Sequence, residues 1–232
     1  LVWMCFSLSA QKNIVLIREM VIQYDRQDNG EKEKWFSHTL NDFINLPGSM
    51  PEKLKGDEVT AKTNGQAVSM TVPTIIIHNM EKYRKEGNIK FPFFLTPDKH
   101  YVGAAWYQKE VNIPADWKGE RILLFLERPH IETTVWVNGQ KTGMQNSLCV
   151  PHQYDITHYV RPENDYHYPV DNRIKEINVG PDSHSITDQT QGNWNGIVGR
   201  ICLQTTPKNN FDDIQIYPEP EQNWHVSKSS IK

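Results

Sequence analysis

The sequence predicts an all-β protein, a sandwich or jelly roll of about eight to ten short strands. Three observations carry that prediction. Short apolar or alternating runs recur between turn residues, as in WYQKEVNIP, RILLFLE and TTVWVNGQKTG, which is the pattern of half-buried strands. No strand–helix–strand alternation of the kind that builds parallel sheets is visible, and few stretches carry a helical period. With 232 residues and 38% hydrophobic side chains, the chain can bury one sizeable core, and all-β units of this length are often single domains.

The elements follow in order. The opening LVWMCFSLSA is apolar and ends in small residues. Residues 1–10 therefore read as the back half of a secretory signal, cleaved after Ala10, which implies a periplasmic or secreted protein. An apolar N-terminal strand is the other reading. IVLIREMVIQYD forms a first extended stretch with Val21 and Tyr24 among its apolar members, and RQDNGEKEK follows as a solvated loop. Trp35, Phe36, Leu40, Phe43 and Leu46 are spaced for one short helix or an irregular lid, which Pro47-Gly48 ends. Residues 50–75 are polar and loop-like, an excursion of a length that is often functional. KFPFFLTPDKHYVGAAWY then packs aromatics and prolines into what reads as a buried crossing of the sheet edge.

The stretch from Trp106 to Gly143 organises the rest. Val111 and Ile113 alternate with Glu110 and Asn112, so one side faces a core, and Pro114 ends the pairing because it has no N–H to donate. Arg121 to Glu127 is apolar on both faces and reads as the central buried strand. Asn138-Gly139 supplies two positive-φ positions for a two-residue hairpin turn. Beyond it, Tyr154 to Thr157 and the apolar positions Ile174, Ile177 and Val179 mark further extended pieces, while Arg200 to Leu203 and Phe211 to Tyr217 close the sheet. Residues 218–223 read as a linker.

Composition excludes several classes. Lys plus Arg number 25 against 28 Asp plus Glu, a net charge of −3 with no basic run, so nothing points to nucleic acid or to an anionic membrane. No apolar run approaches the ~20 residues of a membrane-spanning helix. Three cysteines at unrelated spacings give no disulfide framework, and Cys149 and Cys202 are expected reduced and buried. Neither a zinc nor a calcium ligand cluster stands out, so no metal or other cofactor is expected.

At this point the residues resemble a known family. WYQKEVNIPADWKGERILLFLERPHIETTVWVNGQKTG, then YDIT, VDNR, GNWNGIVGRICL and DDIQIYP, taken in that order over residues 20–217, look like the N-terminal sugar-binding domain of glycoside hydrolase family 2, and most like its Bacteroidetes β-galactosidases. The resemblance implies a galactose-binding-like jelly roll. In that family it is followed by an immunoglobulin-like domain, whose first strand residues 224–232 resemble, and by a (β/α)8 barrel bearing the two catalytic carboxylates of a retaining reaction. The chain then reads as a non-catalytic front module of a β-galactosidase-like hydrolase, with a β-galactoside-like glycan and the two missing domains as its partners. A free-standing carbohydrate-binding or lectin-like protein is the alternative. Glu163 to Tyr168 depart from the family's usual Gly-x-Asn and alternating pattern, which leaves the register there open.

The resemblance also implies a site. The polar loop from Asp182 to Asn195 leans over the barrel mouth in relatives, and sugar recognition needs polar groups for hydroxyls and a ring for the C–H face. Asp188, Gln191, Asn193 and Asn195 supply the first and Trp194 the second; the structural alternative is that they cap turns or pack. Asn88 resembles the other part of the domain that reaches the active site, or is a turn residue. Asp182, Ser183 and His184 are no triad, because neighbours in an extended chain point to opposite faces. Cys149 with His152 is a weak metal signal. Glu127 and Glu132 flank His130, and a cation such as Arg128 or Arg121 explains them without catalysis.

Overall fold

A computed structural model describes residues 11–58, 99–161, 163–173, 175 and 194–207. The strands are β1 (Asn13–Val15), β2 (Arg18–Asp25), β3 (Asp42–Leu46), β4 (Gly48–Ser49), β5 (Asp57–Glu58), β6 (Lys99–His100), β7 (Ala104–Asn112), β8 (Arg121–Leu126), β9 (Glu132–Val137), β10 (Gln140–Asn146), β11 (His152–Asp155), β12 (Glu163–Asp171), β13 (Gly196–Ile197) and β14 (Ile201–Thr206). A six-stranded sheet in the order β10-β9-β12-β7-β2-β3 faces a four-stranded one, β1-β14-β8-β11. All the pairings between these strands are antiparallel.

One core fills the space between the sheets. Alternate residues of each strand point inward: Met20 and Ile22 on β2, Ala105 and Tyr107 on β7, Val135 and Val137 on β9, Tyr166, Tyr168 and Val170 on β12. Ile122, Leu124 and Leu126 of β8 meet them from the other sheet, with Tyr154, Ile201 and Leu203. The all-β sandwich expected from the sequence is thus observed. At roughly 1.5–3 kcal/mol for each large apolar side chain taken fully out of water, this interlayer packing is the main stabilising element. Val111 and Ile113 pack against the same core while Glu110 and Asn112 stay exposed, and a 3-10 turn at Ala115–Trp117 follows Pro114. The Asn138-Gly139 turn has φ of 52° and 78° and joins β9 to β10 as expected.

Several expectations need correction. The first extended stretch is two strands in different sheets, because Arg18 turns the chain at φ 78°. Instead of a short helix, Trp35–Ser37 form a 3-10 turn and Asp42–Leu46 form the edge strand β3. Trp35, Phe36 and Leu40 cover a second cluster on the outer face of the larger sheet, around Trp106 and Trp136. Phe36 lies flat on Trp136 at 5.6 Å between ring centroids.

The run Arg121–Leu126 is an interior strand of the smaller sheet, whereas the longest pairing is β7 with β12, from Asn112–Glu163 to Ala104–Asp171. That pairing also answers the register question at Glu163 to Tyr168. The β12–β9 pairing lapses at Tyr168 and Pro169, where proline has no N–H to donate. Cys202 is buried and free as expected, but Cys149 is exposed, because it lies in the bend between β10 and β11. Residues 1–10, residues 59–98, Ile174, Ile177, Val179, Phe211 to Tyr217, the linker 218–223 and residues 224–232 lie outside the described residues. No helix among the described residues is long and apolar enough to cross a membrane.

Candidate functional site at the stems of the 174–193 segment

Asp188, Gln191 and Asn193 lie between Arg173 and Trp194, outside the described residues, as does Asn88. The two stems of that segment are described, and the protein commits two buried asparagines to them. Asn172, one residue past β12, accepts the Gly103 N–H at 2.8 Å and donates to the Tyr101 carbonyl at 2.6 Å. Asn195, one residue before β13, donates to the Gly103 carbonyl at 3.0 Å and to the Val170 carbonyl at 2.7 Å. Both asparagines are fully buried. The N–H and C=O of one glycine are therefore held by opposite stems, at a backbone φ of +146° that a side chain would strain.

The clamp reaches further into the core. Tyr107 donates its hydroxyl to Asn195 Oδ1 at 2.8 Å. Burial pushes the Tyr107 pKa well up, so the group stays a protonated donor. The Asn195 carbonyl accepts the Met50 N–H at 2.7 Å, beside the short pairing of β13 with β4. Gly196 makes that approach possible: a Cβ there would sit 2.5 Å from the Gly48 carbonyl oxygen.

Charge fixes the leading stem from outside. Arg173 forks onto Asp28, both contacts at 2.6 Å, and onto Asp171, with Nη2 to Oδ2 at 2.7 Å. Lys175 reaches Glu132 and Asp171, each at 2.8 Å. Burial pushes the Asp171 carboxyl up, but hydrogen bonds from Arg173 and Lys175 outweigh it and hold the group below the usual carboxylate range. The hydrogen bonds to Asp171 and Asp28 in turn raise Arg173. A cleft of about 150 Å³ lies alongside, floored by Trp106 and Trp136.

Of the proposed sugar-facing residues, two are described. Trp194 is half-buried, and its ring lies 4.5 Å from that of His130, tilted by 30°. His130 is fixed in turn, since its N–H donates to the Gly196 carbonyl at 3.2 Å and Pro129 bridges to Ile197. Asn195 is inside the protein with its amide engaged on three sides, so it holds the stem. Asn172, Gly103 and Tyr107 were not singled out from sequence; VDNR and NGIVG marked the resemblance without revealing what Asn172 and Asn195 do.

The carboxylates nearby are taken by cations. Glu127 accepts from the Arg200 backbone N–H at 2.9 Å and from its Nε at 3.0 Å, which lowers its pKa. Lys175 neutralises Glu132. The expected cation is present in both cases: Arg200 contacts Glu127, with Arg128 adding its charge from further off, and Lys175 contacts Glu132, while Arg121 pairs with Asp155. His152 is buried, with Nδ1 2.6 Å from Thr133 Oγ1 and Nε2 3.2 Å from the Ser147 carbonyl, so its ring is committed within the fold. Among the described residues no group of three His, Cys, Asp or Glu is placed to hold a metal ion. Asp182, Ser183 and His184 lie outside them.

An antiparallel sandwich that spends buried amides on the two stems of one polar segment has the architecture of a binding module, in which a rigid scaffold fixes the ends of a loop. The family described as "Glycosyl hydrolases family 2, sugar binding domain" matches residues 56–207. The chain belongs to that family. Among its relatives, a β-glucuronidase of Homo sapiens is 26% identical over 147 residues, 53% of this chain and 23% of that protein. A β-galactosidase of Pseudoalteromonas haloplanktis is 23% identical over 216 residues, 90% of this chain and 20% of that protein. Among solved structures, a β-glucuronidase from an uncultured Clostridium sp. matches at a TM-score of 0.61 with 20% identity, covering 90% of this chain and 31% of that one. At that identity the likeness concerns the fold. The chain spans less than a third of the length of each of these relatives.

Proposed function

We propose that this chain is the non-catalytic sugar-binding wall of a retaining β-glycosidase, and that the carboxylates that break the glycosidic bond belong to another domain. The clamp on both stems carries the reading: a segment whose ends are locked through a single buried glycine is built to present side chains at a fixed place. Asp188, Gln191 and Asn193 would then meet the hydroxyls of a terminal β-galactoside-like residue, Trp194 its C–H face, and Asn88 would approach from the other excursion. Partners are that glycan and the immunoglobulin-like and barrel domains found in the family. The small residues before Gln11 support export to the periplasm or beyond.

Two assays test this. Purified chain incubated with p-nitrophenyl β-galactoside or β-glucuronide should give no turnover, and should bind methyl β-galactoside weakly or not at all in a calorimeter. Tight binding by the chain alone would instead favour a free-standing carbohydrate-binding protein.

A further inference from the structure

The residue behind the proposed sugar face is deep in the core. Tyr107 lies on the inner side of β7, fully buried, with its ring stacked at 6.0 Å on Tyr168. Its hydroxyl is directed at Asn195 Oδ1, and the residue before Asn195 is Trp194, whose ring rests against His130. Three hydrogen bonds together set the orientation of Asn195: its amide N–H groups go to the carbonyls of Gly103 and Val170, and Oδ1 is left to accept from Tyr107. Losing the tyrosine hydroxyl leaves that oxygen buried without its donor. The amide then relaxes, and the backbone that carries Trp194 moves with it.

We infer that Tyr107 is a positioning residue for Trp194, acting through Asn195, and that a core hydroxyl thereby tunes how well the protein grips the apolar face of a sugar ring. The sugar contact rests on the function proposed above; the mechanical link rests on the hydrogen bonds alone. Phenylalanine at position 107 is the clean perturbation, since it keeps the ring packing on Tyr168 and removes one oxygen.

The test uses the full gene product labelled with 5-fluorotryptophan, in which the fluorine signal that disappears in Trp194→Phe is that of Trp194. Methyl β-galactoside and methyl β-glucuronide are the probes. Tyr107→Phe should shift or broaden the Trp194 signal before any sugar is added, and should weaken sugar affinity about three- to tenfold, the range of one neutral hydrogen bond. Ile122→Val, a core change of similar cost on β8, should leave both unchanged. The inference is overturned if Tyr107→Phe leaves the signal in place and affinity within about twofold, or if Ile122→Val has the same effects. Should Trp194→Phe bind sugar as the parent does, the sugar-facing role of Trp194 falls, while the comparison of Tyr107→Phe with Ile122→Val still decides the mechanical link.

Discussion

Replacing Asn195 with alanine should remove a large share of the fold's stability although the residue lies outside the strands. The side chain makes three buried hydrogen bonds, to the Tyr107 hydroxyl at 2.8 Å and to the carbonyls of Gly103 and Val170 at 3.0 and 2.7 Å. Each partner stranded away from water costs about 1–3 kcal/mol, so for three partners the loss should total roughly 3–9 kcal/mol. Domains of this kind hold only about 5–15 kcal/mol in all. At about 2–4 °C per kcal/mol for a chain of this size, the melting point should fall by about 6–36 °C. Urea unfolding followed by tryptophan fluorescence, beside calorimetry, measures it. Asn195→Asp sharpens the test, because it keeps the size and the acceptor for Tyr107 but turns an oxygen toward two carbonyls. A space-filling role for Asn195 makes that variant nearly neutral, and a loss under about 1 kcal/mol in either variant refutes the reasoning.

Three further outcomes are expected. Asp171 is held below the usual carboxylate range, so its ionised form favours the folded state. That contribution is full above the unfolded value of about pH 4 and disappears as pH falls through the folded pKa, and Asp171→Asn should flatten the acid limb of a stability–pH curve. Gly196→Ala places a Cβ 2.5 Å from the Gly48 carbonyl oxygen at a φ of +137°, and should lower stability by more than about 1 kcal/mol in denaturant titration. Iodoacetamide should label exposed Cys149 in the native protein and buried Cys202 only after unfolding, read by peptide mass.

What could be read from the sequence was the part written in local pattern. Alternation at Glu110 to Ile113 and the Asn138-Gly139 turn each encode their structure within a few residues and became the expected elements, while the apolar run from Ile122 became an interior strand of the smaller sheet, with Leu123 half-buried, rather than the centre of the fold. The strand β12 hides for a local reason too: Asn164, Asp165 and Pro169 are poor strand formers, yet burial of Tyr166, Tyr168 and Val170 against the facing sheet overrides them. β3 reads as helical because Trp35, Phe36 and Leu40 serve the outer face while Ile44 and Leu46 serve the inner one. The clamp was invisible for a different reason. Asn172 and Asn195 find partners 69 and 92 residues away, and no periodicity records a contact of that range. Asn195 looked like a sugar ligand by residue type, but its surroundings make it a support.

The central claim is that this chain holds a sugar-facing loop without supplying the reacting groups. Turnover of p-nitrophenyl β-galactoside and β-glucuronide by the purified chain measures that most directly, with Glu127→Gln and Glu132→Gln variants alongside. No product above the enzyme-free rate is expected for any of them. Hydrolysis by the chain that either substitution abolished would contradict it.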